Sequence, residues 1–146
     1  MMIGGLKKIK KYIHFGYLYL KYKGFKKNKQ RMSRCEAMIK SFLSHSDVLF
    51  KSQYHIKLPR GIRKTNNAYI DFMVFKDNKR IAIEYNGEQH YKFSNYFHKT
   101  YDKYLEQRKR DIAVKDWCNK HNITFLEIPY TWTDDEIISK IKEVIE

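Results

Sequence analysis

Apolar residues with helical spacing predict three helices after residue 32, each with a signal for where it begins or ends. A Ser-Arg-Cys-Glu capping box at residues 33–36 begins the first helix, whose apolar face continues to about residue 46. A long helical stretch covers residues 99–120. A second capping box at residues 133–136 begins the last helix, which turns four isoleucines inward.

Runs of β-branched and aromatic residues between these helices predict four strands. They cover residues 53–58, 69–75, 80–85 and 123–128. The order helix, three strands, helix, strand, helix indicates a mixed α/β domain. Residues 6–20 carry an apolar helical stripe while residues 17–22 alternate like a strand, so the pattern leaves the structure of this first segment open.

Charge is distributed unevenly over the 146 residues, a length that suits one domain. Eleven of the 30 Lys and Arg residues precede Glu36, the first acidic residue, although the net charge of the whole chain is +14. We therefore divide the chain into a basic arm, residues 1–31, and a folded domain, residues 32–146. Such an arm is typical of proteins that bind a polyanion, either nucleic acid or an anionic membrane surface. The expected nucleic-acid contacts are Lys7, Lys8, Lys10, Lys11, Arg60, Arg63, Lys64 and Arg108.

Two further features bear on the compartment. The apolar stretch at residues 15–20 is short and rich in Tyr, which fits neither a transmembrane span nor the core of a signal peptide. Cys35 and Cys118 have no CxxC partner, and we expect both to be buried, reduced thiols. These features predict an intracellular, cytoplasmic protein that does not act at a membrane.

The two central strands bring two carboxylates together. If Asp77 and Asn78 form a two-residue hairpin turn, paired residue numbers sum to 155, so Asp71 lies opposite Glu84. Met73 and Ala82 share that face, and the other face is a core that consists of Ile70, Phe72, Val74, Ile81 and Ile83. Opposed like charges destabilise a sheet unless a divalent cation makes the pairing favourable. Spacing alone leaves open the ordinary alternative, a carboxylate that is solvated or paired with Lys or Arg.

Titratable residues continue directly after the second of these strands. Residues 84–91 read Glu-Tyr-Asn-Gly-Glu-Gln-His-Tyr, and Gly87 is expected to let the chain turn sharply. Histidine titrates near neutral pH and can move a proton to or from a reacting oxygen, so His90 is a candidate acid–base group. The other histidines, which lack such neighbours, are interpreted as structural or exposed: His14, His45, His55, His98 and His121.

These motifs occur together, in order, in a known superfamily. Ser-x-x-Glu36, Ile-Asp71-Phe, the block at residues 83–91, Gln-x-x-x-Asp111-x-x-x-Lys115 and Phe-Leu-Glu-Ile-Pro-Tyr130 resemble the PD-(D/E)XK nucleases. More narrowly, the chain resembles the EDxHD branch of phage-type homing endonucleases, which is related to the very-short-patch repair endonucleases. The resemblance covers residues 33–130 and implies a restriction-endonuclease-like core, with a central mixed β-sheet flanked by helices.

The resemblance also implies roles for individual residues. The four named positions of the branch fall on Glu36, Asp71, His90 and Asp111, and Glu84 takes the acidic position of the D/E-x-K motif. Asn86 stands where that motif has Lys. The missing proton-transfer function then falls to His90, Gln89 or Lys115, and we favour His90.

Three of these residues have an ordinary explanation as well. Glu36 is also the capping-box glutamate, which bonds back to its own helix start. Asp111 and Lys115, four residues apart on a helix, also fit a surface ion pair. The basic run at residues 108–110 fits a solvated face as well as a phosphate contact.

The expected activity is hydrolysis of DNA phosphodiesters by a homing or nicking type of endonuclease. Asp71 and Glu84 would bind one or two Mg²⁺ ions, with Mn²⁺ as a substitute, and Lys115 or Arg108 would steady the developing charge. The rivals are a nuclease specific for junctions or flaps and a nucleic-acid-binding protein without catalysis. Target sequence, one-strand or two-strand cutting, and assembly as a monomer or homodimer do not follow from the sequence.

Overall fold

The computed structural model describes residues 32–62 and 65–146. The chain divides into two compact units, Met1–Ser46 and Asp47–Glu146. The described part of the first unit is helix α1 (Arg34–Ser44), which begins at the predicted capping box. The Glu36 amide donates to Ser33 Oγ at 3.1 Å, and the Ser33 amide donates to Glu36 Oε2 at 2.6 Å. This helix buries an apolar face of three residues, Met38, Ile39 and Leu43.

The second unit is built on one four-stranded sheet. Its strands are β1 (Leu49–Lys57), β2 (Asn67–Lys76), β3 (Lys79–Asn86) and β4 (Thr124–Pro129). They lie in the order β1-β2-β3-β4; the first two pairings are antiparallel and the last is parallel. The helices are α2 (Asn95–His98), α3 (Tyr101–Lys120) and α4 (Asp134–Ile145), and a 3₁₀ turn spans Glu88–His90. The predicted mixed α/β domain, with a mixed sheet flanked by helices, is confirmed.

The hairpin between β2 and β3 has the predicted register. Asp77 and Asn78 have φ angles of 48° and 62°, as a two-residue turn that matches the twist of its strands requires. Phe72 pairs with Ile83, and Phe75 pairs with Arg80, so paired numbers sum to 155. One step beyond the Phe72–Ile83 pair, the same register places Asp71 opposite Glu84.

Helix α3 covers the face of the hairpin that carries the carboxylates. Met73 and Ala82 are fully buried there in a cluster with three residues of α3, Ala113, Val114 and Cys118. Ile70 belongs to this same cluster, so its assignment to the opposite face was wrong. The β1–β2 ladder omits the pair Gln53–Asp71, and Gln53 has a φ of 50°, so strict two-residue alternation does not hold through this point.

Other sequence expectations can be compared directly. Strand β1 begins at Leu49, earlier than residue 53, and helix α2 was not predicted. Cys118 is a buried free thiol as expected, whereas Cys35 is only half-buried. Within the described ranges, no helix has the length and apolar character needed to cross a membrane.

Candidate active site

Asp71 and Glu84 lie opposite each other at the end of the β2–β3 ladder, where their carboxyl groups interact electrostatically. Glu84 is 8% exposed, one of the few buried charged residues in the described chain. Burial raises the pKa of Glu84 well above its ordinary value of 4.5, and the negative charge of Asp71 raises this pKa further. Burial and the charge of Asp71 therefore both disfavour the ionised form of Glu84.

Asp71 is held by the strands on both sides of it. The Tyr85 amide donates to Asp71 Oδ2 at 2.9 Å, and Gln53 Nε2 donates to Asp71 Oδ1 at 3.3 Å. The first bond explains why the carboxylate lies close to β3, because it takes a backbone donor at the end of that strand. Gln53, whose φ is positive, is the β1 residue that faces Asp71.

His90 and Asp111 form a second pair. His90 Nδ1 lies 2.8 Å from Asp111 Oδ2, and both side chains are 15% exposed. Asp111 Oδ1 also accepts a hydrogen bond from Arg110 Nη1 at 3.1 Å. Among the residues that the structure describes, Asp111 thus pairs with His90 and Arg110 and not with Lys115. Asp111 adds to the upward shift of the Glu84 pKa, so the two pairs lie within electrostatic reach of each other.

Helix α3 also fixes the loop that carries His90. Arg108 Nη1 donates to the His90 carbonyl at 3.0 Å, and the Tyr104 hydroxyl donates to the Tyr91 carbonyl at 3.1 Å. With Asp111, three side chains of one helix therefore bind two consecutive loop residues. This network fixes the His90 ring against Asp111.

Gly87 has a different role from the one expected. Its φ of −66° and ψ of 170° are open to any residue, so it does not supply a left-handed turn. A Cβ at this position would collide with the side-chain amide of Gln89, which packs over the glycine. The glycine therefore makes room for Gln89 just before the 3₁₀ turn.

A cavity of about 200 Å³ opens beside these groups. Four predicted site residues contribute to its wall: Glu84, Arg108, Asp111 and Lys115. Asn86, Tyr91 and Glu127 also line the cavity, together with apolar side chains of α3 and β4. The structure thus brings together most of the candidates that lie after residue 70.

Glu127 is a site residue that the sequence reasoning missed. It is the parallel-sheet partner of Glu84, and its Oε1 accepts hydrogen bonds from Asn86 Nδ2 at 3.0 Å and from the Tyr91 hydroxyl at 2.6 Å. Burial and the bond to Glu127 raise the pKa of Tyr91 above its ordinary value. Asn86, which replaces the motif lysine, is thus tied to a carboxylate of β4. The available signal was a single Glu between the buried Leu126 and Ile128 of that strand.

The remaining candidates belong to the first unit, to the loop after β1, or to residues outside the described ranges. Glu36 makes the capping-box bonds of α1 in the first unit, and its catalytic role stays a prediction. Arg60 is exposed in the loop after β1. The arm residues Lys7, Lys8, Lys10 and Lys11, and the loop residues Arg63 and Lys64, lie outside the described residues. Within the described ranges, no three His, Cys, Asp or Glu side chains form a group that could hold a metal ion.

Comparison with known proteins finds relatives in three viruses. The chain is 35% identical over 79 residues to uncharacterized protein 307L of Invertebrate iridescent virus 6, a match that spans 54% of this chain and 40% of the relative. It is 30% identical over 102 residues to uncharacterized protein 033L of Invertebrate iridescent virus 3, spanning 68% and 50%. It is 38% identical over 63 residues to uncharacterized protein 094L of Frog virus 3 (isolate Goorha), spanning 42% and 41%.

No family model and no solved structure matches the chain. The matched part of the chain spans two fifths to one half of the length of these relatives. The chain is therefore similar to one part of several longer viral proteins.

Proposed function

We propose that this chain is a metal-dependent DNA endonuclease with a PD-(D/E)XK core of the EDxHD type. The observation that carries the proposal is that Asp71 faces the buried Glu84, within electrostatic reach of the His90–Asp111 pair. A buried carboxylate that faces a second carboxylate is disfavoured in its charged form, and a bound cation would remove this penalty. An oriented histidine near such a pair can transfer a proton during metal-assisted phosphodiester hydrolysis.

The fold supports the same proposal. An antiparallel hairpin that presents both acids leads through α3 into the parallel strand β4, and α3 covers the face where the acids lie. The motif residues after residue 70 fall on these connected elements. Asp71 and Glu84 lie on the hairpin, His90 lies in the loop after it, and Asp111 lies on the covering helix.

The residues present fit a hard divalent cation. Asp71 and Glu84 offer carboxylate oxygens, which Mg²⁺ and Mn²⁺ prefer. The two residues lie opposite each other in the hairpin register, and burial and the charge of Asp71 both raise the pKa of Glu84, so a cation beside them would be favourable. These two residues would hold the ion. When bound, Mg²⁺ would polarise the scissile phosphate and acidify the attacking water.

The other side chains have distinct tasks in this proposal. Because Asp111 occupies His90 Nδ1, the ring nitrogen left for proton exchange within the described residues is Nε2. Asp111 thereby sets the orientation of the ring. Lys115 and Arg108 on the cavity wall would stabilise negative charge on the phosphate. The basic arm would add affinity that does not depend on sequence.

Plasmid, linear and branched DNA incubated with the full chain test the proposal, with Mg²⁺ and with EDTA. We expect cleavage that requires the metal and that Glu84→Gln abolishes. The matched control is Glu143→Gln, which removes an exposed carboxylate on α4 that pairs with Lys140. Tight DNA binding with no cleavage of any substrate in Mg²⁺ or Mn²⁺ would instead favour a binding protein without catalysis.

A further inference from the structure

An exposed aromatic surface lies next to the candidate active site. Its members are Phe93, Tyr96, Phe97 and Tyr101, which are 40%, 85%, 56% and 58% exposed. Single exposed aromatic residues are ordinary, but four within nine residues of the chain form a patch, and such patches mark binding sites.

This aromatic surface is held in place from beneath. His98 is only 3% exposed, accepts a hydrogen bond from the Ser94 amide through Nδ1, and contacts Gln107 Oε1 through Nε2, each at 3.1 Å. The ring of Phe93 stacks on His98 with centroids 5.8 Å apart. The rings of Tyr96 and Phe97 meet edge to face at 4.9 Å. The buried His98 and its hydrogen bonds therefore support the segment that carries the exposed rings.

The aromatic surface is continuous with the cavity. Tyr101, Leu105, Arg108 and Ile112 are spaced by four, three and four residues, so they form one stripe along α3. Tyr101, Leu105 and Ile112 are exposed, and Arg108 and Ile112 line the cavity. A ligand that extends from the cavity along this stripe reaches the aromatic surface.

Charge identifies the kind of ligand. Residues 92–110 contain six Lys or Arg residues and two acidic residues. A mixture of exposed rings and cations suits nucleic acid whose bases are unstacked, since each base offers a face to a ring and each phosphate offers a charge to a cation. Bases inside a duplex are already stacked and offer no face. The excess of cations would have no complementary charge on an uncharged, apolar partner.

We propose that the aromatic surface binds unstacked nucleobases of DNA beside the scissile phosphate, so that the substrate class is DNA with an unpaired segment, such as a flap, fork or bubble. This inference rests on the proposed nuclease function for its placement beside a cleavage site. The stacking residues are Tyr96 and Phe97. Tyr96 is the most exposed ring of the aromatic surface, and Phe97 is its edge-to-face partner.

The test measures binding by the full chain in EDTA, which separates it from cleavage. The probes are a forked DNA with 2-aminopurine in its unpaired arm next to the junction and a blunt duplex of equal length. Stacking on a ring quenches 2-aminopurine fluorescence. We expect wild-type protein to quench the fork, and Tyr96→Ser/Phe97→Ser to bind it about 5- to 100-fold more weakly with little quenching. Binding to the duplex should change less than about twofold.

Tyr69→Ser is the matched control, because Tyr69 is 48% exposed but lies on β2, outside the aromatic surface. The inference is overturned if the double variant binds the fork as wild type does, or loses equal affinity for fork and duplex. It is also overturned if the double variant only dissociates a dimer, measured by light scattering, with DNA binding unchanged. Fork preference without cleavage in Mg²⁺ would refute the nuclease proposal and leave the aromatic surface standing. Cleavage without fork preference would refute the role of the aromatic surface and leave the nuclease proposal intact.

Discussion

Replacing Glu84 with glutamine should make the metal-free protein more stable at neutral and alkaline pH. The folded-state pKa of Glu84 is raised above its ordinary value of 4.5, so the folded protein holds a proton that the unfolded chain has released. Stability from this group is fully present below about pH 4.5 and is lost as pH rises through the folded-state pKa. The glutamine amide carries no charge at any pH and escapes this loss.

The size of the gain can be worked out from the charges involved. Cross-strand Cβ atoms lie about 5 Å apart, where two like charges repel by roughly 3 kcal/mol at an effective dielectric constant of about 20. Each unit of pKa shift corresponds to about 1.4 kcal/mol. We therefore expect Glu84→Gln to raise the free energy of unfolding by about 1–3 kcal/mol at pH 8 and by little at pH 4.

Urea unfolding in EDTA from pH 4 to pH 9 measures this gain. Saturating Mg²⁺ should reverse the order of the two proteins, since an ion bound only by the folded wild type adds about 2.7 kcal/mol at a concentration one hundred times its Kd. Glu143→Gln, whose carboxylate is exposed on α4, should stay within about 0.5 kcal/mol of wild type at every pH. The reasoning fails if Glu84→Gln is less stable than wild type at pH 8 in EDTA, or if its effect does not depend on pH.

Three further predictions concern the chemistry. Asp71→Asn should abolish Mg²⁺-dependent cleavage and leave DNA binding intact; near-normal cleavage in a plasmid assay would exclude Asp71 as a metal ligand. His90→Ala should lower the single-turnover cleavage rate by about 10²–10⁴ without weakening Mg²⁺ binding, and a normal rate would point to Lys115 or Gln89 as the base. Deleting residues 1–31, which carry ten positive charges and no acid, should flatten the salt dependence of DNA binding. The reason is that each phosphate contact contributes roughly −0.9 to the slope of log K against log salt. An unchanged slope would show that the arm does not contact DNA.

The sequence predicted those features that depend on local rules. The Asp77-Asn78 turn fixed the register of the hairpin and so the meeting of Asp71 and Glu84. Both capping boxes mark the true starts of α1 and α4, because a cap involves only residues three apart.

Features that depend on long-range packing could not be predicted from the sequence. The pairing of Glu84 with Glu127 joins strands separated by a 20-residue helix, and no local pattern shows which residues of β3 and β4 face each other. Helix α2 has four residues, too few for apolar periodicity, and its structure rests on the buried His98. Ile70 was misplaced because regular alternation was carried through an irregular point in the β1–β2 ladder.

Three side chains of α3 fix the position of the loop that carries His90 along the helix. Tyr104, Arg108 and Asp111 reach this loop from one side of the helix, and each residue added to a helix rotates the residues after it by about 100°. One residue inserted after Arg108 would swing Asp111 away from the imidazole. Residues 93–100, in contrast, form a segment whose two ends lie close together, because the rings of Phe93 and Tyr101 are 5.6 Å apart. A change in its length would therefore alter the aromatic surface without moving His90, so binding and cleavage could be changed independently of each other.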